Sequence, residues 1–178
     1  MNDPISAWNA EHVYFAHLLD LLQRELDVFH LGGRPNYELA QDIITYLRDY
    51  GDQYHHPREG EAFRRMAPHC PDLELELARL EQEHRVIANA GEELSVHLSA
   101  IVSGAIVPRA QVESAAATYL VYYRNHLARE EEEVLTRAAQ VLSGADWEAI
   151  RDCAPAGLEP RRAPEHYREL RRRIALAA

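Results

Sequence analysis

Residues 54–63 read YHHPREGEAF, and residues 126–133 read HLAREEEE. Each stretch holds a histidine and a glutamate four positions apart, His55 with Glu59 and His126 with Glu130. On an α-helix such a pair shares one face, one turn apart, and can reach a common ion. The fold turns on whether the first stretch, with Pro57 inside it, is a surface turn or a helix carrying the same pair. The two pairs are offset by 71 positions, and the single histidines His12 and His84 by 72. Both single histidines follow a glutamate, Glu11 and Glu83, and both HxxxE segments follow a Thr-Tyr-Leu triplet, at Thr45 and Thr118. Matched offsets point to a duplicated helical hairpin. YHHPREGEAF therefore reads as helix. A proline in a helix interior costs roughly 3 kcal/mol and here forfeits the bond to the carbonyl of Gln53. It also disfavours helical geometry at His56. The expectation is a helix kinked at Pro57 with His55 facing inward.

Working outward, helical spacing dominates the chain and strand alternation is absent. A first helix is expected from Ser6, as N-cap, to His30, where LGGRPN ends it. A second runs from Tyr37, after Asn36, to Ala67. A third opens at Pro71, which suits a first turn, and ends at Gly104. A fourth runs from Pro108 to the SGAD segment, with Gly144 as C-terminal cap. On the third helix Leu73, Leu77, Leu80, His84, Ile87, Gly91, Leu94 and Leu98 form one stripe. On the first, His12 shares a face with Phe15, Ala16, Leu19 and Leu26. Four long helices with short connections predict an all-α, up-down-up-down four-helix bundle over residues 1–145. Residues 146–178 are expected to form a C-terminal helical extension, with a short helix near Trp147 and a tail helix after Pro164, packed on or beside the bundle.

The 178 residues suit one domain with a sizeable core. The net charge of −10 is uneven: residues 159–178 carry six arginines against three glutamates, so the body is strongly acidic. An acidic body disfavours nucleic acid as a partner. The basic tail is expected to dock on that body, with another subunit, as in a homodimer, or an unknown partner as the alternatives. No apolar run approaches a membrane span, and the N-terminal MNDPISAWNAE lacks a signal-like pattern. A cytoplasmic protein with no membrane partner is expected, and Cys70 and Cys153 read as free thiols.

Chemistry is concentrated on the inward faces. One histidine on an apolar face is usually a satisfied core residue. Here the four long helices bring His12, His55, His84 and His126 inward together with Glu59 and Glu130. Imidazole and carboxylate without thiolate suit iron, manganese or zinc, and a quasi-symmetric set suits two adjacent ions with open positions for small ligands. His56 competes with His55, but its own i+4 partner is Gly60, so His55 fits better. His17 points about 140° from His12 at 100° per residue. Glu131 and Glu132 read as a solvated face and Glu133 as a weaker substitute for Glu130. Asp52-x-x-His55 and Glu81-x-x-His84 allow a ferritin-like carboxylate site as the rival, which leaves His12 and His126 without roles. Tyr119, Tyr122 and Tyr123 read as aromatic packing near His126.

The EH of the first helix, HHPRE, the EH of the third and HLAREEEE resemble the hemerythrin-like, or HHE cation-binding, family over residues 7–143. The resemblance implies a bundle around a non-haem di-iron centre, two iron ions bridged by oxo or hydroxo, with zinc or manganese left open. The implied metal ligands are His12, His55, Glu59, His84, His126 and Glu130. Oxygen-carrying members have a second histidine four residues after the third-helix ligand, where this chain has Ala88, and HxxxxD where it has HxxxE. The implied function is binding or sensing of a diatomic ligand, oxygen or nitric oxide, or iron handling. The alternatives are a di-iron redox enzyme acting on peroxide or nitric oxide, and an interaction module with a structural metal.

Overall fold

A computed structural model describes residues 4–153 together with 170, 172 and 174. The described residues are all helical or in connections, with no strand among them. Helix α1 spans Pro4–His30. The second long segment is α2 (Tyr37–Tyr46), a π-helical stretch (Leu47–His55) and α3 (His56–Met66). A 3₁₀ turn at Pro71–Leu73 leads into α4 (Glu74–Val102). The fourth segment is α5 (Arg109–Arg129), a second π stretch (Glu130–Val134) and α6 (Leu135–Val141), and α7 (Gly144–Asp152) follows.

The punctuation has local causes. Asn36 caps α2 by accepting from the Leu39 N–H at 3.0 Å, as a polar N-cap should. Gly104 closes α4 in the left-handed region, φ 86°, with the Ala105 N–H bonded back to Ala100. Two expected caps fall elsewhere. Ser6 lies inside α1, which already runs from Pro4, a residue the first turn tolerates. Gly144 caps nothing: Leu142 leaves the helix in extended geometry, and Ser143 starts α7 through a capping box with Asp146. A polar side chain that satisfies the next helix's N–H groups outweighed the glycine signal.

The interruption at YHHPREGEAF also takes another form. His56 keeps helical angles, φ −59° and ψ −37°, although Pro57 follows it. Its N–H reaches the carbonyl of Gly51, five residues back, which is the π pattern. Pro57 then stands in the first turn of α3, where its missing N–H does no harm.

The long segments touch in a closed ring, α1 with α2, α2 with α4, α4 with α5, and α5 with α1. Two apolar clusters fill the interior. The larger includes Phe15, Leu47, Ile87, Tyr119, Tyr123 and Leu127, and the smaller Trp8, Phe63, Leu77, Leu80, Val134 and Ile150. Their order along the chain alternates. The smaller cluster comes first in α1 and α4, and the larger comes first in the second and fourth segments. In every segment a polar, chemistry-bearing stretch lies between the two. Of the expected inward residues, Ala16 is exposed and Leu26 and Leu73 are only partly covered, while the rest of the α4 stripe apart from His84 is buried. Helix α7 packs on α3, with Ile150 in the smaller cluster. Leu170 is buried in the larger cluster and Ile174 packs against it. The remaining residues of the expected tail helix lie outside the described ones. No described helix is long and apolar enough to cross a membrane.

Candidate metal centre

Between the two apolar layers lie His12, His55, His56, Glu59, His126 and Glu130, all buried, with His84 partly buried. They form two groups, each with ligand atoms within 4.8 Å of one another: His12, His55, Glu59 and Glu130, and His56, Glu59, His84 and His126. Glu59 belongs to both. Its Oε1 lies 2.5 Å from His55 Nε2 and 3.5 Å from His12 Nε2, while its Oε2 lies 3.0 Å from His84 Nε2 and 3.4 Å from His126 Nε2. One carboxylate thus presents one oxygen to each group. Glu130 Oε2 is 3.3 Å from His12 Nε2 and 3.8 Å from His126 Nε2, so it also faces both. All six residues picked out by register and offset are brought together.

The outer nitrogens explain the Glu-His dipeptides. Glu11 Oε2 lies 2.5 Å from His55 Nδ1, and Glu83 Oε2 lies 3.6 Å from His126 Nδ1. In each half of the chain, the glutamate preceding one histidine faces the histidine of the next segment, hydrogen-bonded in the first half and at ion-pair distance in the second. Glu131 Oε1 stands 3.3 Å from His12 Nδ1, and Asp52 Oδ1 3.4 Å from His56 Nδ1. A carboxylate hydrogen-bonded to the far nitrogen, as Glu11 and Glu131 are, fixes the ring and the tautomer and leaves Nε2 free to bind a cation, whereas Glu83 and Asp52 stand beside their imidazoles without a hydrogen bond. Glu11 is itself held by Arg58 at 2.5 Å and by the Tyr50 hydroxyl at 2.9 Å.

Electrostatics show what this arrangement costs without a cation. Burial pushes the Glu130 carboxyl up, and the charge of Glu59 adds to it, to about 7. Burial acts upward on Glu59 too, but the charge of His55 and hydrogen bonds from His12, His126 and His55 hold it well below the usual range. His12 is pulled down by burial yet lifted to about 10 by Glu130 and Glu59, and His126 is lifted to about 9 against burial by Glu59 and Glu83. His56 is driven well below its ordinary value by burial and by neighbouring His84. Neither oxygen of Glu130, nor Nε2 of His56, has a hydrogen-bond partner. Each such buried orphan costs about 1–3 kcal/mol. A cation coordinated by these lone pairs removes that penalty. The donor set fits metal and, being imidazole and carboxylate, fits iron, manganese or zinc.

Several readings change. His56 does not compete with His55: both are buried, in different groups. The α-helical register that set His56 aside is broken by the π stretch ending at His55. Glu131, expected to be solvated, is 47% exposed along its side chain yet supports His12, while Glu132 and Glu133 are exposed. Glu81 is exposed, which removes a ligand of the ferritin-like rival, and so is His17. Tyr119 and Tyr123 are fully buried, whereas Tyr122 is 39% exposed. Trp8 was missed altogether. Its indole N–H donates to Glu59 Oε1 at 3.1 Å; its place one turn before His12, together with the polar handle of a tryptophan, is the signal that pointed to it.

A profile of the Hemerythrin HHE cation binding domain matches residues 3–138. The class defined by fold and site is thus a helical cation-binding domain. The chain belongs to the hemerythrin HHE family. No curated protein and no solved structure matches it.

Proposed function

We propose that residues 1–145 form an up-down-up-down four-helix bundle that holds two iron ions and binds or senses a diatomic gas, oxygen or nitric oxide. The alternating order of the two apolar clusters along the four segments supports the antiparallel bundle. The observation that carries the metal reading is Glu59, whose two oxygens face two separate sets of imidazoles. The residues that would hold the iron are His12, His55, His84 and His126 through Nε2, with Glu59, which both groups include, and Glu130, which belongs to the group of His12 and His55. Iron supplies a reversible change of oxidation state and coordination positions beyond those the protein fills. The protein orients each ring. Glu11 and Glu131 hold the outer nitrogens of His55 and His12, Glu83 stands 3.6 Å from that of His126, and Phe15 and Phe63 pack against His55 and His84 at 4.9 and 6.0 Å between ring centres. Apolar layers on both sides keep bulk water from the cluster. Residues 146–178 form the helical extension. The protein works in the cytoplasm as a monomer or homodimer, without nucleic-acid or membrane partners.

Metal analysis after purification without added metal, and after anaerobic reconstitution with ferrous iron, tests the reading. Near two iron atoms per chain are expected, lost in His126→Ala, with a charge-transfer band that appears on exposure to oxygen or nitric oxide and reverses on removal. Absence of iron after reconstitution refutes the iron assignment. Steady consumption of peroxide with an electron donor would move the reading to a redox enzyme.

A further inference from the structure

We propose that His56 is a seventh ligand, so that one cation position has three imidazoles and one carboxylate while the other has two imidazoles and two carboxylates. The inference rests on the two-metal reading above. His56 groups with Glu59, His84 and His126, and its Nε2 is buried without a hydrogen-bond partner. Its outer nitrogen faces a carboxylate, Asp52 at 3.4 Å. His12, His55 and His126 share that signature, with an acid beside Nδ1 and Nε2 turned to the cluster. Histidines elsewhere do not: the imidazole of His30 is 73% exposed with Glu113 on Nδ1, and that of His97 turns Nε2, not Nδ1, towards Glu93. The ring of His56 lies parallel to that of His84, 4.3 Å between centres and 10° between planes. A second nitrogen donor thus stands beside His84 although α4 offers only Ala88 one turn further on. A ring needed only to stack on His84 needs no acid on one nitrogen and no free lone pair on the other.

The two positions then differ in chemistry. The imidazole-rich position favours borderline divalent cations such as ferrous, cobaltous and zinc ions, and the carboxylate-rich one tolerates harder ions such as manganese. Loading becomes sequential, the His56 position filling first. Calorimetric titration of the full-length metal-free protein with zinc, repeated with cobalt while its visible spectrum is followed, reads both steps. Two resolved steps are expected in the wild type. His56→Phe, which keeps a stacked ring, and His56→Gln each weaken the tighter step at least roughly tenfold and leave the weaker one in place. His12→Ala weakens the other step instead. Wild-type steps in both His56 variants, with circular dichroism unchanged, overturn the proposal, as does a single step of two equal sites in the wild type. Failure of the wild type to bind zinc, cobalt or iron overturns the two-metal reading itself, and this proposal with it.

Discussion

Replacing Glu11 by glutamine keeps the shape of the side chain and removes its charge. Glu11 receives three contacts, from His55 Nδ1 at 2.5 Å, Arg58 at 2.5 Å and the Tyr50 hydroxyl at 2.9 Å. An amide oxygen can still accept one of these bonds, but it no longer assists them with charge. Hydrogen bonds to charged groups contribute about 1.5–3 kcal/mol against about 0.5–1.5 for neutral ones. The change at His55 therefore removes roughly 1–1.5 kcal/mol from the metal-bound state, about a tenfold loss of affinity at 1.4 kcal/mol per decade. The Arg58 contact removes a similar amount from folding, in metal-free and loaded protein alike. Competition with a chromophoric chelator measures the affinity, and thermal melts with and without metal separate it from the folding term. Glu83→Gln is the internal comparison. Its carboxylate stands 3.6 Å from His126, beyond hydrogen-bond length, and is shared with Arg79 at 3.1 Å. A loss well below tenfold is expected there. Wild-type affinity in Glu11→Gln, or a larger loss in Glu83→Gln, refutes the idea that these acids tune the ligands through the outer nitrogens.

A methyl group at Gly51 would sit 2.5 Å from the hydroxyl of fully buried Tyr123. Gly51→Ala should cost about 1–3 kcal/mol, as overpacking does, lowering the melting temperature by roughly 2–12 °C; adding Tyr123→Phe should restore most of it, and a double variant no better than the single one counts against the clash. Removing metal by chelation should lower the stability of the wild type by about 2.7 kcal/mol relative to protein at a hundredfold excess of free metal over Kd; equal melting curves argue against a resident cation. In the metal-free chain His12 and His126 have folded-state values raised to about 10 and about 9 from an ordinary 6.5. Their stabilisation is therefore complete below about pH 6.5 and is lost as pH rises through 9 and 10. Protons and metal compete for the same nitrogens, so affinity should rise over the same range while the apo melting temperature falls; a flat apo profile between pH 7 and 10 contradicts the assigned contacts.

Much of the fold was legible because its breaks are written in residues with few other uses. Asn36, Pro71 and Gly104 mark ends that the structure reproduces within a few residues. Gly144 misled because a glycine signal and a Ser-x-x-Asp capping box overlap, and only the second makes hydrogen bonds there. The six residues at matched offsets come together between the apolar layers. Glu11 and Glu83 were visible as a regularity but not as a function, since each acts on a histidine 43 or 44 positions away in another segment. Trp8 carried only its place one turn before His12, on the stripe of Phe15 and Leu19, which marks burial but not a bond to Glu59. Pairwise reach across segments depends on packing, which offsets along one chain do not encode.

The residual error concerns one helical turn and has one cause. Arithmetic at 100° per residue assumes i→i+4 bonding from Tyr37 to Ala67. Pro57 disfavours that, because it lacks an N–H and its ring collides with the carbonyl four residues back. The chain answers by widening the preceding turns to i→i+5, as the His56 bond to Gly51 shows, and resetting the frame at Pro57. A widened turn carries more residues past the same face, so two consecutive histidines both stay inside, one in each cation group. The second π stretch does comparable work, beginning at Glu130, where the Leu135 N–H reaches five residues back. HxxxE thus meets the cluster from both segments although one π stretch ends at its pair's first residue and the other starts at its pair's last. On this account the proline at 57 is part of how the site is built. Pro57→Ala, which lets the α-helical ladder close, should turn one of the two histidines out of the cluster and reduce the metal bound per chain.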